Sequence, residues 1–256
     1  MDDIAVATSY VAGPATHPGY VYLQTSAGVF AAPARYPVAV DPWGMSTGDI
    51  DGDGLLDLVV ATPGTVAPQI NVINNSGGVS VLRQDSSKHG HFLNAQWIST
   101  GGSATDAAIA KLDQDGLADQ AGLADLVVAD GVLANGRAVL YLQDPALPGK
   151  FLAPDDLLAG SGKGFEELAV ADVNGDSRND TVLAAYDSVA VFYQLPGGGF
   201  SGPAILAAGV SPDGVAVGDL DGNGDNRADI ILNDGPSVLI QRATPAGSFE
   251  ALCPLR

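Results

Sequence analysis

Four aspartates near residue 50 have the residue type and spacing of a hard-cation site. In the stretch GDIDGDGLLDLVVAT, Asp49, Asp51, Asp53 and Asp57 occupy loop positions 1, 3, 5 and 9, and the Leu55 carbonyl stands at position 7. Alternate residues of a tight turn point inward, and the glycines between them permit the positive φ angles that curl the backbone. Calcium takes oxygen ligands of this kind and number, whereas zinc would favour histidine or cysteine. The spacing therefore predicts a calcium site.

Two other types of metal site begin in a similar way. An EF-hand needs a glutamate at position 12 and two flanking helices, but position 12 is Val60 and the flanking residues are strand-like. A catalytic metal needs an open coordination position, and a loop that surrounds the ion with protein oxygens leaves none. We therefore interpret the loop as a structural calcium site and predict that the chain is not an enzyme.

The acidic loop is repeated along the chain. Further copies begin at Lys111, Asp172 and Asp219, and each lies between two short apolar runs. Farther along every unit, an alternating segment precedes a Gly-x-Phe turn. Five of the seven phenylalanines occupy this one position, namely Phe30, Phe92, Phe151, Phe200 and Phe249. Such regularity indicates a repeat protein, in which the recurring phenylalanine is predicted to pack between neighbouring units.

Each unit contains four short strand-like segments and no helical period. A four-stranded unit of roughly 45 to 60 residues is typical of a β-propeller blade. We predict an all-β fold, a single β-propeller domain over residues 1–256 with about five four-stranded blades, whose first blade lacks its first strand. The chain would be either a closed ring or part of a larger propeller. The predicted repeats span approximately residues 1–40, 41–103, 104–164, 165–210 and 211–256.

The pattern Asp-x-Asp/Asn-x-Asp-Gly-x-x-Asp between apolar strands, repeated with Gly-x-Phe, resembles a known family. It is similar to the FG-GAP or VCBS repeats, which form the propeller of integrin α subunits and of many bacterial and fungal surface proteins. The resemblance covers nearly the whole chain. It implies a Ca²⁺ ion in the hairpin between the first and second strands of a blade, three to four ions in all, and a secreted or cell-surface location.

The resemblance also implies ligands in the later repeats. In the fourth repeat they are Asp172, Asn174, Asp176, the Arg178 carbonyl and Asp180. In the fifth they are Asp219, Asp221 and Asp229, with Asn223 or Asp225 between them. In the third they are Asp113, Asp115, Asp119 and Asp125, but Lys111 replaces the first acid, and its amine would substitute for an ion or weaken its binding. The first repeat keeps only Asp3, so no ion is expected there.

Composition restricts the classes of partner. With 30 acidic residues against 11 basic ones, the net charge of -19 argues against nucleic acid and anionic membranes. No apolar run reaches the roughly 20 residues needed to span a bilayer, so membrane insertion is not expected. The lone Cys253 excludes an intrachain disulfide. Since no signal peptide precedes the first strand, the sequence predicts either an excised part of a secreted protein or a cytosolic protein.

The unrepeated loops are the candidates for ligand recognition. Blade geometry places them on the face opposite the acidic loops, where the candidate binding residues are His17, Tyr20, Trp43 and Tyr186. We predict a calcium-stabilised extracellular binding, adhesion or scaffold module for a protein or glycan ligand, with self-association through the open blade edge. The alternative is a lectin, or the propeller domain of a polysaccharide-degrading enzyme. Aromatic residues are only 6% of the chain and, apart from phenylalanine, are not periodic, which disfavours the lectin.

Overall fold

The fold is all-β, as predicted. The computed structural model describes residues 3–8, 18–39, 41–64, 66–67, 72–73, 77–112, 123–131, 137–158, 164–185, 187–207, 212, 214–220, 227–234, 237–241, 249 and 253–254. Within these ranges every regular element is a strand, and no helix is long and apolar enough to cross a bilayer.

Five antiparallel sheets follow one another along the chain, and we call them blades 1 to 5. Blade 1 has three strands: β1 (Ile4–Ala7), β2 (Pro18–Tyr22) and β5 (Ala34–Pro37). Blade 2 has four: β6 (Met45–Gly48), β7 (Asp57–Thr62), β10 (Gly78–Leu82) and β11 (Gln96–Ser99). Two short hairpins accompany them: β3 (Gln24–Ser26) with β4 (Val29–Phe30), and β8 (Val66–Ala67) with β9 (Val72–Ile73).

The remaining blades repeat the four-stranded arrangement in chain order. Blade 3 consists of β12 (Ala104–Ala110), β13 (Asp125–Asp130), β14 (Arg137–Tyr141) and β15 (Asp155–Leu158). Blade 4 consists of β16 (Phe165–Ala171), β17 (Asp180–Ala185), β18 (Ser188–Phe192) and β19 (Ala204–Ala207). Blade 5 consists of β20 (Gly214–Gly218), β21 (Asp229–Asp234), β22 (Ser237–Gln241) and β23 (Cys253–Pro254). This confirms the prediction of four-stranded blades after a first blade that lacks one strand.

Apolar residues of consecutive blades form four cores, one at each junction between neighbouring blades. The second strands β7, β13 and β17 are buried along their whole length. Both faces of each are covered, which explains why these strands are near-continuous apolar runs and do not alternate. Among the described residues, no core joins blade 5 to blade 1.

The recurring phenylalanine packs at the junction with the preceding blade. Phe92 lies against the core between blades 1 and 2, where its ring meets that of Tyr36 edge-on at 5.4 Å. Phe151, Phe200 and Phe249 pack against the next three junctions in the same way. Phe30 is 38% exposed, because the described chain places no blade before blade 1. The repeated phenylalanine is thus a packing residue.

Candidate metal centre

The loop between β6 and β7 is curled by hydrogen bonds from its own backbone. Asp49 accepts the N–H groups of Gly52 at 2.8 Å and Gly54 at 2.9 Å, one on each carboxylate oxygen. Both glycines have positive φ, 75° and 84°, which side chains with a Cβ rarely adopt. Asp53 accepts the N–H of Leu55 at 2.9 Å and lies exposed at the tip. Glycine placement and aspartate caps together determine the shape of the loop.

Three carboxylates of this loop converge. One oxygen from each of Asp49, Asp51 and Asp57 lies within 4.8 Å of the other two, and this is the sole such group of three acids or other metal-binding side chains among the described residues. Oxygens bound to one calcium at about 2.3–2.6 Å are separated by at most about 5 Å, so the spacing fits that ion. Asp53 lies outside the group. The structure therefore brings together three of the five ligands predicted for this loop.

One buried oxygen of the group has no hydrogen-bond partner in the part of the chain that the structure describes. This is Asp51 Oδ1, while Oδ2 of the same carboxylate lies 3.4 Å from the Arg83 guanidinium. A buried carboxylate oxygen without a donor is costly unless a cation lies beside it. The unpaired Asp51 oxygen, the spacing and the oxygen-only donor set all fit a calcium ion held by Asp49, Asp51 and Asp57.

Asp57 has a second role that does not involve an ion. Its Oδ2 accepts the N–H of Ile50 at 2.9 Å, and its Oδ1 accepts the N–H of Gln84 at 2.7 Å, beyond β10. One buried carboxylate therefore joins the acidic loop to the end of the third strand. Burial raises the pKa of Asp57 to about 6 against the opposing effect of these two hydrogen bonds, and the Asp51 and Asp53 charges add to the rise. A calcium ion beside it would favour the charged form.

The last aspartate of the loop makes the same pair of backbone hydrogen bonds in later blades. Asp125 accepts the N–H groups of Leu112 and Gln143 at 2.8 and 2.9 Å. Asp180 accepts those of Val173 at 3.1 Å and Gln194 at 2.9 Å, and burial raises its pKa to about 6 as well. In blade 5, Asp229 accepts the N–H of Leu220 at 3.0 Å. The last aspartate of each loop is thus a structural hydrogen-bond acceptor, a role that the ligand pattern alone did not reveal.

The fourth loop has the same backbone shape but a different charge arrangement. Asp172 accepts four consecutive N–H groups, from Asn174, Gly175, Asp176 and Ser177, at 2.6–3.2 Å. The Arg178 guanidinium pairs with Asp176 and donates to the Gln194 carbonyl at 3.0 Å. Arg178 was predicted as a carbonyl ligand, and in this structure its side chain places a positive charge on one of the predicted ligands.

The remaining predicted residues are only partly described. Asp113, Asp115, Asp119, Asp221, Asn223 and Asp225 lie outside the described residues, as do His17 and Tyr186. Lys111 is exposed, and its carbonyl accepts the Asn179 side-chain amide at 3.1 Å. On the opposite face, the Trp43 side chain is 59% exposed, whereas Tyr20 is half-buried in β2.

Two carboxylates of the inner strands were not predicted as functional residues. Asp106 in β12 accepts the N–H of Leu168 in blade 4 at 3.1 Å, and Glu167 in β16 accepts that of Val215 in blade 5 at 2.8 Å. Burial raises the pKa of Asp106 to about 6, an effect that the nearby Glu167 charge reinforces. In the sequence, each of these acids stands within an otherwise apolar strand segment, and this position could have indicated a contact between blades.

Comparison with known families agrees with the repeat geometry. The profile of the FG-GAP-like repeat matches residues 1–60 and 172–232, and the profile of the FG-GAP repeat matches residues 42–82. Together these cover more than half of the chain. The chain belongs to the FG-GAP repeat family. The second profile spans the Asp49–Asp57 loop with both of its flanking strands, so the candidate metal centre lies inside a recognised FG-GAP repeat.

Individual relatives of this FG-GAP repeat chain are distant. Phosphatidylinositol-glycan-specific phospholipase D of Bos taurus is 28% identical over 155 residues, which are 56% of this chain and 18% of that protein. Among solved structures, the Photorhabdus luminescens Tc holotoxin pore is 19% identical with a TM-score of 0.41, over 98% of this chain and 11% of that chain. The chain therefore spans less than a fifth of the length of either.

Two further structures match at similar distance. An Agrocybe aegerita lectin, described as recognising non-reducing terminal N-acetylglucosamine, is 16% identical with a TM-score of 0.47, over 98% of this chain and 79% of that chain. The exotype rhamnogalacturonan lyase YesX is 14% identical with a TM-score of 0.46, over 93% of this chain and 57% of that chain.

Proposed function

We propose that the chain is a calcium-stabilised, non-catalytic FG-GAP propeller module that binds a protein or glycan ligand outside the cell. The observation that carries the proposal is the group of Asp49, Asp51 and Asp57, with a buried Asp51 oxygen that no described residue satisfies. Membership of the FG-GAP repeat family supports a binding or scaffold role. An extracellular location fits a structural calcium site, because calcium is abundant there and even weak sites are filled.

Contacts between loops and neighbouring blades support a structural role for the ion. The Gln143 side chain of blade 3 donates to the Ile50 carbonyl within the loop of blade 2. Arg227 and Ala228 of blade 5 donate to the loop of blade 4, at the carbonyls of Asn174 and Asp172, with distances of 3.1 and 2.9 Å. An ion that holds such a loop in shape therefore also stabilises the junction with the next blade.

Calcium titration followed by thermal unfolding tests this proposal. We expect the melting temperature to rise with calcium, because a ligand at 100 times its Kd stabilises the folded state by about 2.7 kcal/mol. Asp51→Asn should reduce the calcium-dependent rise, since it removes a ligand charge. Glu166→Gln removes the same charge from an exposed strand position and should retain the full rise. A melting temperature that chelation leaves unchanged would refute the proposal.

The exposed Trp43 favours a lectin as the second candidate. An indole that is 59% exposed offers a flat apolar surface on which a sugar ring stacks. A glycan array probed with the wild type and Trp43→Ala separates the two candidates: binding that the substitution abolishes supports the lectin, and no binding supports a protein ligand. Reducing-end release from polysaccharides by the chain would contradict the non-catalytic role and support a propeller domain of a polysaccharide-degrading enzyme.

A further inference from the structure

Blade 2 has an arginine at a position that other blades use for packing. The position is the first residue after the equivalent strands β2, β10, β14 and β18. It is Leu23 in blade 1, Leu142 in blade 3 and Tyr193 in blade 4, and these three side chains pack against the cores between blades. In blade 2 it is Arg83. Because a charge at a packing position loses part of its contact with water, it needs a partner of opposite charge.

The Gly-x-Phe turn of blade 3 packs against this arginine. A Cβ added to Gly149 would lie 3.1 Å from Arg83 Nη1 and 3.6 Å from the Cβ of Asp51. The corresponding glycine of blade 2, Gly90, lies equally close to Leu23 of blade 1. The Arg83 side chain is 38% exposed, since it lies between the acidic loop of its own blade and the turn of the next one. Its charge is therefore held in a fixed place at the junction between blades 2 and 3.

Two consecutive residues after β10 contact two of the three converging carboxylates. The Arg83 guanidinium lies 3.4 Å from Asp51 Oδ2, and the Gln84 N–H donates to Asp57 Oδ1 at 2.7 Å. Three carboxylates this close together repel one another unless a positive charge lies beside them. Arg83 therefore supplies part of the positive charge that a bound cation would supply.

We propose that Arg83 is a built-in counter-charge that sets the calcium affinity of the Asp49, Asp51 and Asp57 group. Its guanidinium stabilises the group before calcium binds, and its charge repels the incoming ion. Both effects weaken calcium binding, which suits the site to the high calcium concentrations outside cells. This role rests on the proposed calcium site and explains why an arginine replaces the packing residue in this blade.

Calcium titration calorimetry of the full chain, at low and at high salt, tests this role. Arg83→Gln keeps a hydrogen-bond donor for Asp51 and removes the charge. It should tighten calcium binding at least about fivefold at low salt, equivalent to about 1 kcal/mol. The gain should shrink at high salt, because salt screens a partly exposed charge. It should also be lost in the double variant Asp51→Asn/Arg83→Gln, which assigns the effect to this site.

Two control variants and a second readout separate the charge of Arg83 from its packing. Arg83→Lys keeps the charge, and its calcium affinity should stay within about twofold of the wild type. Lys88→Gln removes the same charge from an exposed position of the blade 2 turn, and its affinity should also stay within about twofold. In thermal unfolding, Arg83→Gln should lower the melting temperature in chelator and recover most of that loss in saturating calcium. An equal loss in both conditions would show that Arg83 only packs, and would overturn the proposal.

The calorimetric outcomes distinguish the role of Arg83 from the calcium site itself. Calcium binding by the wild type, without tighter binding by Arg83→Gln, would overturn the role of Arg83 and leave the calcium site intact. Calcium binding by Arg83→Gln but not by the wild type would support the role of Arg83 and refute a calcium-stabilised wild type. Absence of binding by both proteins would refute both proposals.

Discussion

Asp57→Ala should strongly destabilise the protein even without calcium. The carboxylate is buried and accepts two backbone N–H groups, at 2.9 and 2.7 Å. Each buried donor left without a partner costs about 1–3 kcal/mol, so the loss should be about 2–6 kcal/mol. Part of this loss of stability is offset, because the substitution also removes a charge whose burial destabilises the folded state. That burial raises the pKa of Asp57 to about 6. We therefore expect the lower half of the range.

Urea unfolding in chelator measures this loss, with two variants for comparison. Asp57→Asn retains one acceptor and removes the buried charge, so its unfolding free energy should fall by about 1–3 kcal/mol. Asp53→Ala removes an exposed carboxylate that caps only Leu55, and should cost less than about 0.5 kcal/mol. Equal losses for Asp57→Ala and Asp53→Ala in chelator would show that Asp57 acts only as a metal ligand, which would refute the reasoning.

Three further predictions concern the junctions between blades. In a urea titration, Phe151→Ala should lower the unfolding free energy by about 2–4 kcal/mol, because the ring packs against the core between blades 2 and 3. The matched variant Phe30→Ala, whose ring is 38% exposed, should cost less than about 1 kcal/mol. Burial raises the pKa of Asp106 to about 6, above the unfolded value of 3.8, so this group stabilises the fold below pH 4 and the contribution is lost as the pH rises through 6. In saturating calcium, Asp106→Asn should flatten the stability profile between pH 4 and 7, and an unchanged profile would contradict the assignment. Arg137 pairs with Asp130 and Asp156 and donates to the Thr100 carbonyl. Because lysine cannot make these contacts together, Arg137→Lys should lower the unfolding free energy by about 1–3 kcal/mol, measured by thermal unfolding. An unchanged stability would show that these contacts are dispensable.

The repeat pattern was sufficient to predict the blades. Each acidic loop lies between apolar runs, and each Gly-x-Phe turn follows an alternating segment, so the strands and their order could be derived from spacing alone. The prediction succeeded because the described parts of the repeats meet the same local requirements. The loops of blades 2 and 4 have glycines at positive φ and an aspartate that accepts the loop N–H groups, and a phenylalanine packs at each of the four junctions. The missing first strand of blade 1 was visible for the same reason, since Asp3 aligns with the end of a loop.

The repeat pattern did not predict which loop carboxylates pair with arginines and which of them converge. An arginine pairs with a different position in each of two loops: Arg83 approaches Asp51, at position 3, from the end of a neighbouring strand, whereas Arg178 pairs with Asp176, at position 5 of its own loop. Which oxygens remain unpaired depends on side chains that are distant in sequence. The grouping of Asp49, Asp51 and Asp57 without Asp53 is likewise a property of the folded loop.

Differences in turn length also changed local contacts. The Gln84 and Gln143 side chains each accept the N–H of the turn glycine, Gly90 and Gly149, at 2.9 and 2.7 Å. The turn after Gln194 is two residues shorter, and both polar atoms of that buried side chain lack a hydrogen-bond partner among the described residues. A recurring glutamine therefore does not guarantee a recurring hydrogen bond.

The sequence by itself determined the length of the repeat, the order of the strands, the oxygen-rich loops and the phenylalanines that pack between blades. Each of these depends on residues that are close together in the chain. Only the tertiary structure decided which carboxylates converge and which of them hold neighbouring blades. Those properties depend on contacts between one repeat and the next, and a pattern within a single repeat carries no information about them.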